Sequence, residues 1–265
     1  RGQRPSNMFI AHTDGLLIEE NVIDYGGWNP NVPGAGASQL NHNIYLQYGQ
    51  NSSNLIVRNN IIVRGSSHGL QARAGGLVQD NFFARNSIGF ALGYQGSTLA
   101  NGAKARAERN VVSEGWSMAR VDGGCALRGL CTGALWGIQY ENQSRTGFGQ
   151  FEAVDNIVTG LLDDDTYLQT FDRLTVGGYF SITSIRPAVD VNNIEFNWAF
   201  NNNPENPNGY VDPGRTLADY YESIGGSDSF DEFMNAAKER PLQTWDPAYT
   251  AVEINRYIRA GFQRR

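Results

Sequence analysis

The chain has 265 residues, 31 of them glycine and only 18% charged, with a net charge of −6 and a pI near 5.1. It carries no global positive field that would draw in nucleic acid or an anionic membrane surface, so neither is expected as a partner. No run approaches the roughly 18 apolar residues a transmembrane helix needs, and Arg1 to Asn7 do not read as a signal peptide.

A strand begins almost at once, at Met8-Phe9-Ile10, and is followed by the first copy of a repeated phrase, Ile18-Glu19-Glu20-Asn21-Val22-Ile23. The phrase is an apolar residue, two mostly polar ones, an Asn and two apolar residues. It returns as Val57-Arg58-Asn59-Asn60-Ile61-Ile62 and Val78-Gln79-Asp80-Asn81-Phe82-Phe83, then at Asn110, at Asn156 and, more loosely, at Asn197. The shortest spacing, about 21 residues from Asn60 to Asn81, suits one turn of a stacked β-solenoid, and the longer spacings read as one or two turns with insertions. Asn suits a tight bend between sheets, because its amide can bond local backbone and the equivalent Asn one coil away. The expected fold is an all-β, right-handed parallel β-helix over residues 1–205.

A second phrase precedes the Asn in several coils: His42 to Gln47, His68 to Arg73, Ile88 to Gly93 and Trp136 to Glu141. Strand alternation points Ile44, Leu70, Phe90 and Ile138 inward, together with Leu46, Ala72 and Leu92. Insertions interrupt the coils at Asp24 to Asn41, which carries Trp28, and at Ser113 to Ala134, which carries Cys125 and Cys131. Such loops commonly wall a groove on one face of a solenoid. Two cysteines five residues apart in a Gly-rich segment favour a loop-closing disulfide over a zinc or redox site, and with it an oxidising compartment. Asp163, Asp164 and Asp165 offer carboxylates for Ca²⁺, but consecutive side chains diverge, which favours a solvated acidic turn; no other cofactor or metal is expected.

From residue 206 the pattern becomes helical: Thr216 to Ile224, a capping box at Ser229 to Glu232 ahead of Phe233 to Ala237, and Asp246-Pro247 opening a helix to Ala260, stopped by Gly261. Residues 206–265 are expected to form a helical cap on the open end or flank of the solenoid, since an uncovered coil exposes strand edges. The N-terminus has no such cap, which suggests preceding coils or a partner over the first one.

Aligning the second phrase gives three columns. One holds His42, His68, Ile88 and Trp136, the next Tyr45, Gln71, Ala91 and Gln139, and the third Gln47, Arg73, Gly93 and Glu141. The second and third face outward. The first shares its parity with the core and is exposed only if the bend before each strand breaks the alternation. Two of three histidines thus fall on adjacent coils beside a Tyr and an Arg. Arg73 suits neutralisation of a uronate carboxylate, His68 abstraction of the C5 proton, and Tyr45 or His42 donation to the glycosidic oxygen. Gln47, Gln71, Trp136, Gln139 and Glu141 would contact the sugar chain. Hydrolysis would need a carboxyl pair, for which Glu19, Glu20 and Glu141 are poorly spaced. No phosphate-binding loop, dinucleotide fingerprint or nucleophile elbow is present; Ser66 and Ser67 merely precede His68.

The repeated Asn phrase, over residues 8 to 200, resembles the right-handed parallel β-helix proteins of the pectate-lyase-like superfamily. More narrowly, Gly15 to Asp24, Ser67 to Arg73 with Gly75-Gly76, and Tyr257 to Phe262 are similar to secreted bacterial β-helix repeat proteins, which are usually longer at the N-terminus. The resemblance implies a secreted or periplasmic, carbohydrate-active protein. A polysaccharide lyase acting on an acidic glycan is the leading expectation. A non-catalytic glycan-binding or structural β-helix of a surface or virion is the alternative, and a hydrolase or uronan epimerase a second one. The polygalacturonase set of Asn-Thr-Asp, Asp-Asp and Gly-His-Gly does not occur as a set, which argues against pectin hydrolysis.

Overall fold

A computed structural model describes residues 6–29, 31–38, 40–47, 54–94, 105–116, 135–142, 151–162, 176–181, 187–198, 206, 208–241 and 243–265. Cys125, Cys131 and Asp163 to Asp165 lie outside the described residues.

The chain passes repeatedly through three strands. The first coil is β1 (Ser6–Ile10), β2 (Leu17–Glu19) and β3 (Val22–Asp24); the second is β4 (His42–Leu46), β5 (Ile56–Arg58) and β6 (Ile61–Val63). The third is β7 (His68–Ala72), β8 (Gly76–Gln79) and β9 (Phe82–Ala84), and the fourth β10 (Ile88–Tyr94), β11 (Ala105–Glu108) and β12 (Val111–Ser113). The fifth is β13 (Leu135–Asn142), β14 (Phe151–Val154) and β15 (Ile157–Thr159), and the sixth β16 (Val176–Ser181), β17 (Val189–Val191) and β18 (Ile194–Phe196). Every third strand joins the same sheet, giving three all-parallel sheets consistent with a solenoid-like β-helix.

Successive copies of the Asn phrase sit on adjacent coils, so even the long spacings are single turns with insertions. The amides form a continuous ladder. The backbone N–H and Nδ2 of Asn21 both donate to Asn60 Oδ1, and Asn60 does the same to Asn81, Asn81 to Asn110 and Asn110 to Asn156. The sixth rung is Asn193 rather than the expected Asn197: Asn156 donates to Asn193 Oδ1 at 2.8 and 2.9 Å. Asn197 instead occupies a left-handed turn after β18, with φ of 49°. The bend has a backbone signature too. The residue before each rung (Glu20, Asn59, Asp80, Arg109, Asp155, Asn192) has φ between 52° and 58°. L-residues adopt that region at a cost, which the paired amide ladder offsets.

Ile44, Leu70, Phe90 and Ile138 fill the interior with Leu46, Ala72, Leu92 and Tyr140, opposite Val57, Val78, Ala107 and Ala153 and against Ile62, Phe83, Val112 and Val158. The third sheet is apolar on its outer face as well, where Ile61, Phe82, Val111 and Ile157 meet the C-terminal helices. Those helices therefore cover a flank of the stack, spanning several coils.

The helices are α1 (Leu217–Ser223), α2 (Phe230–Glu239) and α3 (Ala251–Gly261). Thr216 and Asp219 form a full capping box on α1. Ser229 caps α2 through Glu232 N–H, so the helix starts at Phe230, earlier than expected, and the Glu232 carboxylate turns to Ser227. The helix expected from Pro247 to Ala260 is two elements: a 3₁₀ turn at Pro247–Tyr249, then α3, with Thr250 extended between them and capping α3. Gly261 belongs to α3 and is no stop signal. A Cβ there would lie 2.1 Å from the Asp212 carbonyl, so glycine lets the chain after β18 pack against the helix end.

Leu217, Phe233, Ile254 and Ile258 are fully buried in this flank, each contributing roughly 1.5–3 kcal/mol. Polar contacts fix the register. Arg64 binds Asp24 (Nε to Oδ1, 2.7 Å) and Asp231 of α2, and Lys238 reaches Asp24 at 3.0 Å. Asn255 donates to the Asp80 carbonyl, and Arg259 to that of Asp155.

Candidate functional site

The outer face of the first sheet carries the three columns. The strand registers bring His42 beside His68, His68 beside Ile88 and Ile88 beside Trp136; Tyr45, Gln71, Ala91 and Gln139 pair in the same order, as do Gly93 and Glu141. The side chain of Glu141 lies outside the described residues.

The alternation is broken at the bend, yet the first column is not exposed: His42, His68 and Ile88 are all buried. Between the leading residue and the first core residue stand Asn43, Gly69, Gly89 and Gly137. A Cβ at Gly69 would lie 2.5 Å from the Gly89 carbonyl, and one at Gly89 2.4 Å from that of Gly137, so the coils approach too closely there for a side chain. Asn43 is accommodated by turning into a second amide bridge, bonding the Val63 carbonyl and Asn86. The leading residue then swings to the outer face. His42 stacks on Tyr45, with ring centroids 5.2 Å apart and planes 22° apart, and His68 meets His42 edge to face at 4.7 Å.

The Arg73 guanidinium lies 4.8 Å above the Tyr45 ring, so His42, Tyr45, His68 and Arg73 form one cluster across the second and third coils. Its rim, consisting of Tyr45, Gln47, Arg73 and Trp136, is half-buried. Its floor is deep: His42 is 6% exposed, His68 8%, Gln71 5% and Gln139 2%. The insertion before β4 supports one side, with Trp28 Nε1 donating to the Arg64 carbonyl, Asn41 to the Gly27 carbonyl, and Ser38 paired with Ser66.

Burial keeps both imidazoles neutral. His42 is pushed down to about 4, first by desolvation and then by the Arg73 charge, with the Asn41 backbone opposing. His68 lies well below its usual value because of desolvation and then His42; the nearby Gln139 amide opposes this, and Arg73 adds to it. Ser67 Oγ sits 2.8 Å from His68 Nδ1 and fixes the ring, with Nε2 at its other end. Asn41 Oδ1, His42 Nδ1, His68 Nε2 and Gln71 Oε1 are all buried without a well-aligned hydrogen bond among the described residues. More than nine in ten buried polar groups are paired in folded proteins, so such atoms are unusual.

Of the carboxylates weighed for hydrolysis, Glu19 does not join this cluster. Glu19 lies on the second sheet and pairs with Arg58 at 2.7 Å. Among the described residues no group of three or more His, Cys, Asp or Glu is placed to hold a metal ion, and no helix is long and apolar enough to cross a membrane. A cleft of about 350 Å³ lined by Asp80, Arg109, Asn255, Arg256 and Arg259 lies between α3 and the Asn bend; there Arg109 is held by Asp80 and Glu108.

Sequence reasoning missed two contributors. Phe9 stacks on Tyr45 from the first coil, and Ser67 orients His68. Phe9 could have been found by extending the Tyr45 column one coil towards the N-terminus. No protein-family model, curated protein or solved structure matches the chain.

Proposed function

We propose that the protein is a right-handed parallel β-helix of the pectate-lyase-like type, secreted or periplasmic, which cleaves an acidic, uronate-containing polysaccharide by β-elimination. The observation that carries this reading is the convergence of a cation, a phenol and two imidazoles on one sheet face. Arg73 would bind the uronate carboxylate and make the C5 proton more acidic. His68 Nε2 would take that proton, a double bond would form between C4 and C5, and the C4–O bond would break. The leaving oxygen then needs a proton. His42, with its pKa near 4, has no extra proton to give at neutral pH, so the donor is Tyr45.

The depth of the two imidazoles favours one rival reading, a glycan-binding β-helix without turnover in which the rim, Tyr45 and Trp136, does the binding. Incubation with pectate, alginate, glycosaminoglycan and ulvan-type polymers separates the two. The lyase reading expects near-ultraviolet absorbance from unsaturated uronate with one polymer, abolished in Arg73→Ala. Because His68 titrates well below 6.5, activity should hold from pH 8 down to pH 6. Retention of a polymer with neither new absorbance nor new reducing ends would establish the binding protein instead.

A further inference from the structure

The cleft of about 350 Å³ between α3 and the Asn bend takes none of its lining from the first sheet. There α3 runs along the stack. Asn255 bonds the Asp80 and Asn81 carbonyls of the third coil, and Arg259 the Asn110 and Asp155 carbonyls of the fourth and fifth. The cleft opens alongside these anchors.

Acids outnumber bases by 27 to 21 in the chain, yet the cleft presents three guanidinium groups, Arg109, Arg256 and Arg259, and one carboxylate, Asp80. Asp80 is taken up by Arg109 in a forked pair of 2.9 and 2.8 Å, and Glu108 holds the same guanidinium from outside the cleft. Arg256 is held differently. Its side chain is 77% exposed, and its partner is Glu253, three residues earlier on the same helix. An exposed pair of this kind is weak and gives way readily to another carboxylate.

The rest of the lining suits a polyol. Asn255 is 4% exposed and spends Nδ2 on two carbonyls, which leaves Oδ1 as a buried acceptor without a partner among the described residues. Gln263 adds a second amide, and Val252, 47% exposed, adds an apolar patch for C–H groups. We propose that this cleft binds a small carboxylated polyol, of the size of one uronic acid, with its carboxylate on Arg256 and Arg259 and its hydroxyls on Asn255 and Gln263. The volume lies within the range of small-molecule sites. Because the ligand touches both α3 and the bend, it ties the helical flank to the solenoid. The site is independent of the reading of the first sheet, and either can fail alone.

NMR titration of the intact ¹⁵N-labelled Arg73→Ala protein, which lacks the first-sheet cation, tests it through the arginine Nε–H resonances, with glucuronate, glucose and inorganic sulfate as probes. Glucuronate should give shifts that saturate and glucose none. Sulfate offers no hydroxyls to the amides and should bind roughly 5-fold more weakly or worse. Arg256 and Gln263 are exposed, so their variants should fold normally. Arg256→Ala should weaken glucuronate binding about 10-fold and Gln263→Ala about 3-fold. Arg58→Ala removes the same charge from the second sheet and should leave binding unchanged. No saturable binding of glucuronate, equal binding of glucose or sulfate, full binding by Arg256→Ala, or an equal loss in Arg58→Ala would each overturn the site. Glucuronate binding of this kind in a protein that releases no unsaturated uronate from any polymer would keep the site and remove the lyase reading. Cleavage by wild type without glucuronate binding by Arg73→Ala would do the reverse.

Discussion

Two polar columns run through the same coils and have opposite characters. At the bend between the second and third sheets, Asn60, Asn81, Asn110 and Asn156 are wholly buried, and each amide is bonded on both sides. On the outer face of the first sheet, His42, His68 and Gln71 are nearly as buried but carry atoms without a well-aligned partner. A satisfied buried column lowers the energy of the fold. An unsatisfied one raises it, by about 1–3 kcal/mol for each orphaned group, and persists where function retains it.

The largest expected effect comes from breaking the satisfied column. Asn110 accepts from the N–H and Nδ2 of Asn81 and donates to Val78 and Asn156. Asn110→Leu should cost about 4 kcal/mol, read from the urea midpoint, because it also orphans groups on both neighbouring coils. Next is Arg64, a buried cation satisfied by Asp24 and Asp231. Arg64→Met should cost roughly 3 kcal/mol by leaving Asp24 buried with Lys238 alone.

The unsatisfied column should show itself through pH. His42 titrates near 4 when folded and near 6.5 when unfolded, so between those values the unfolded chain binds the extra proton. Stability should therefore fall as pH drops from about 6.5 to about 4, by something on the order of 2–3 kcal/mol for this residue. His42→Phe should flatten that slope in urea titrations at stepped pH. The smallest effect is Gln71→Leu, which removes an orphaned acceptor at similar volume. It should change stability by less than about 1 kcal/mol, in either direction.

Much of this contrast was legible in the sequence. The repeated Asn phrase carried the ladder because a rung needs a fixed residue type at a fixed place. It failed only at the last coil, where the doublet Asn192-Asn193 obscures the phrase and Asn197 imitates it. The columns of the site were legible because His42, His68, Ile88 and Trp136 lead similar strands. The direction of His42 was not, since alternation alone turns it inward. The signal lay in the next position, where Gly69, Gly89 and Gly137 mark a bend too tight for side chains. The depth of the imidazoles is a tertiary fact that no local pattern encodes, whereas the helix break at Thr250 had a local signal in Thr250 three residues before Glu253.

The most direct test of the central claim measures two properties of one variant, His68→Gln: its urea midpoint, and its release of unsaturated uronate from the polymer that wild type cleaves. A functional column predicts a midpoint within about 1 kcal/mol of wild type together with the loss of absorbance. A variant that loses several kcal/mol, as Asn110→Leu should, or one that still generates unsaturated ends at the wild-type rate, would contradict it.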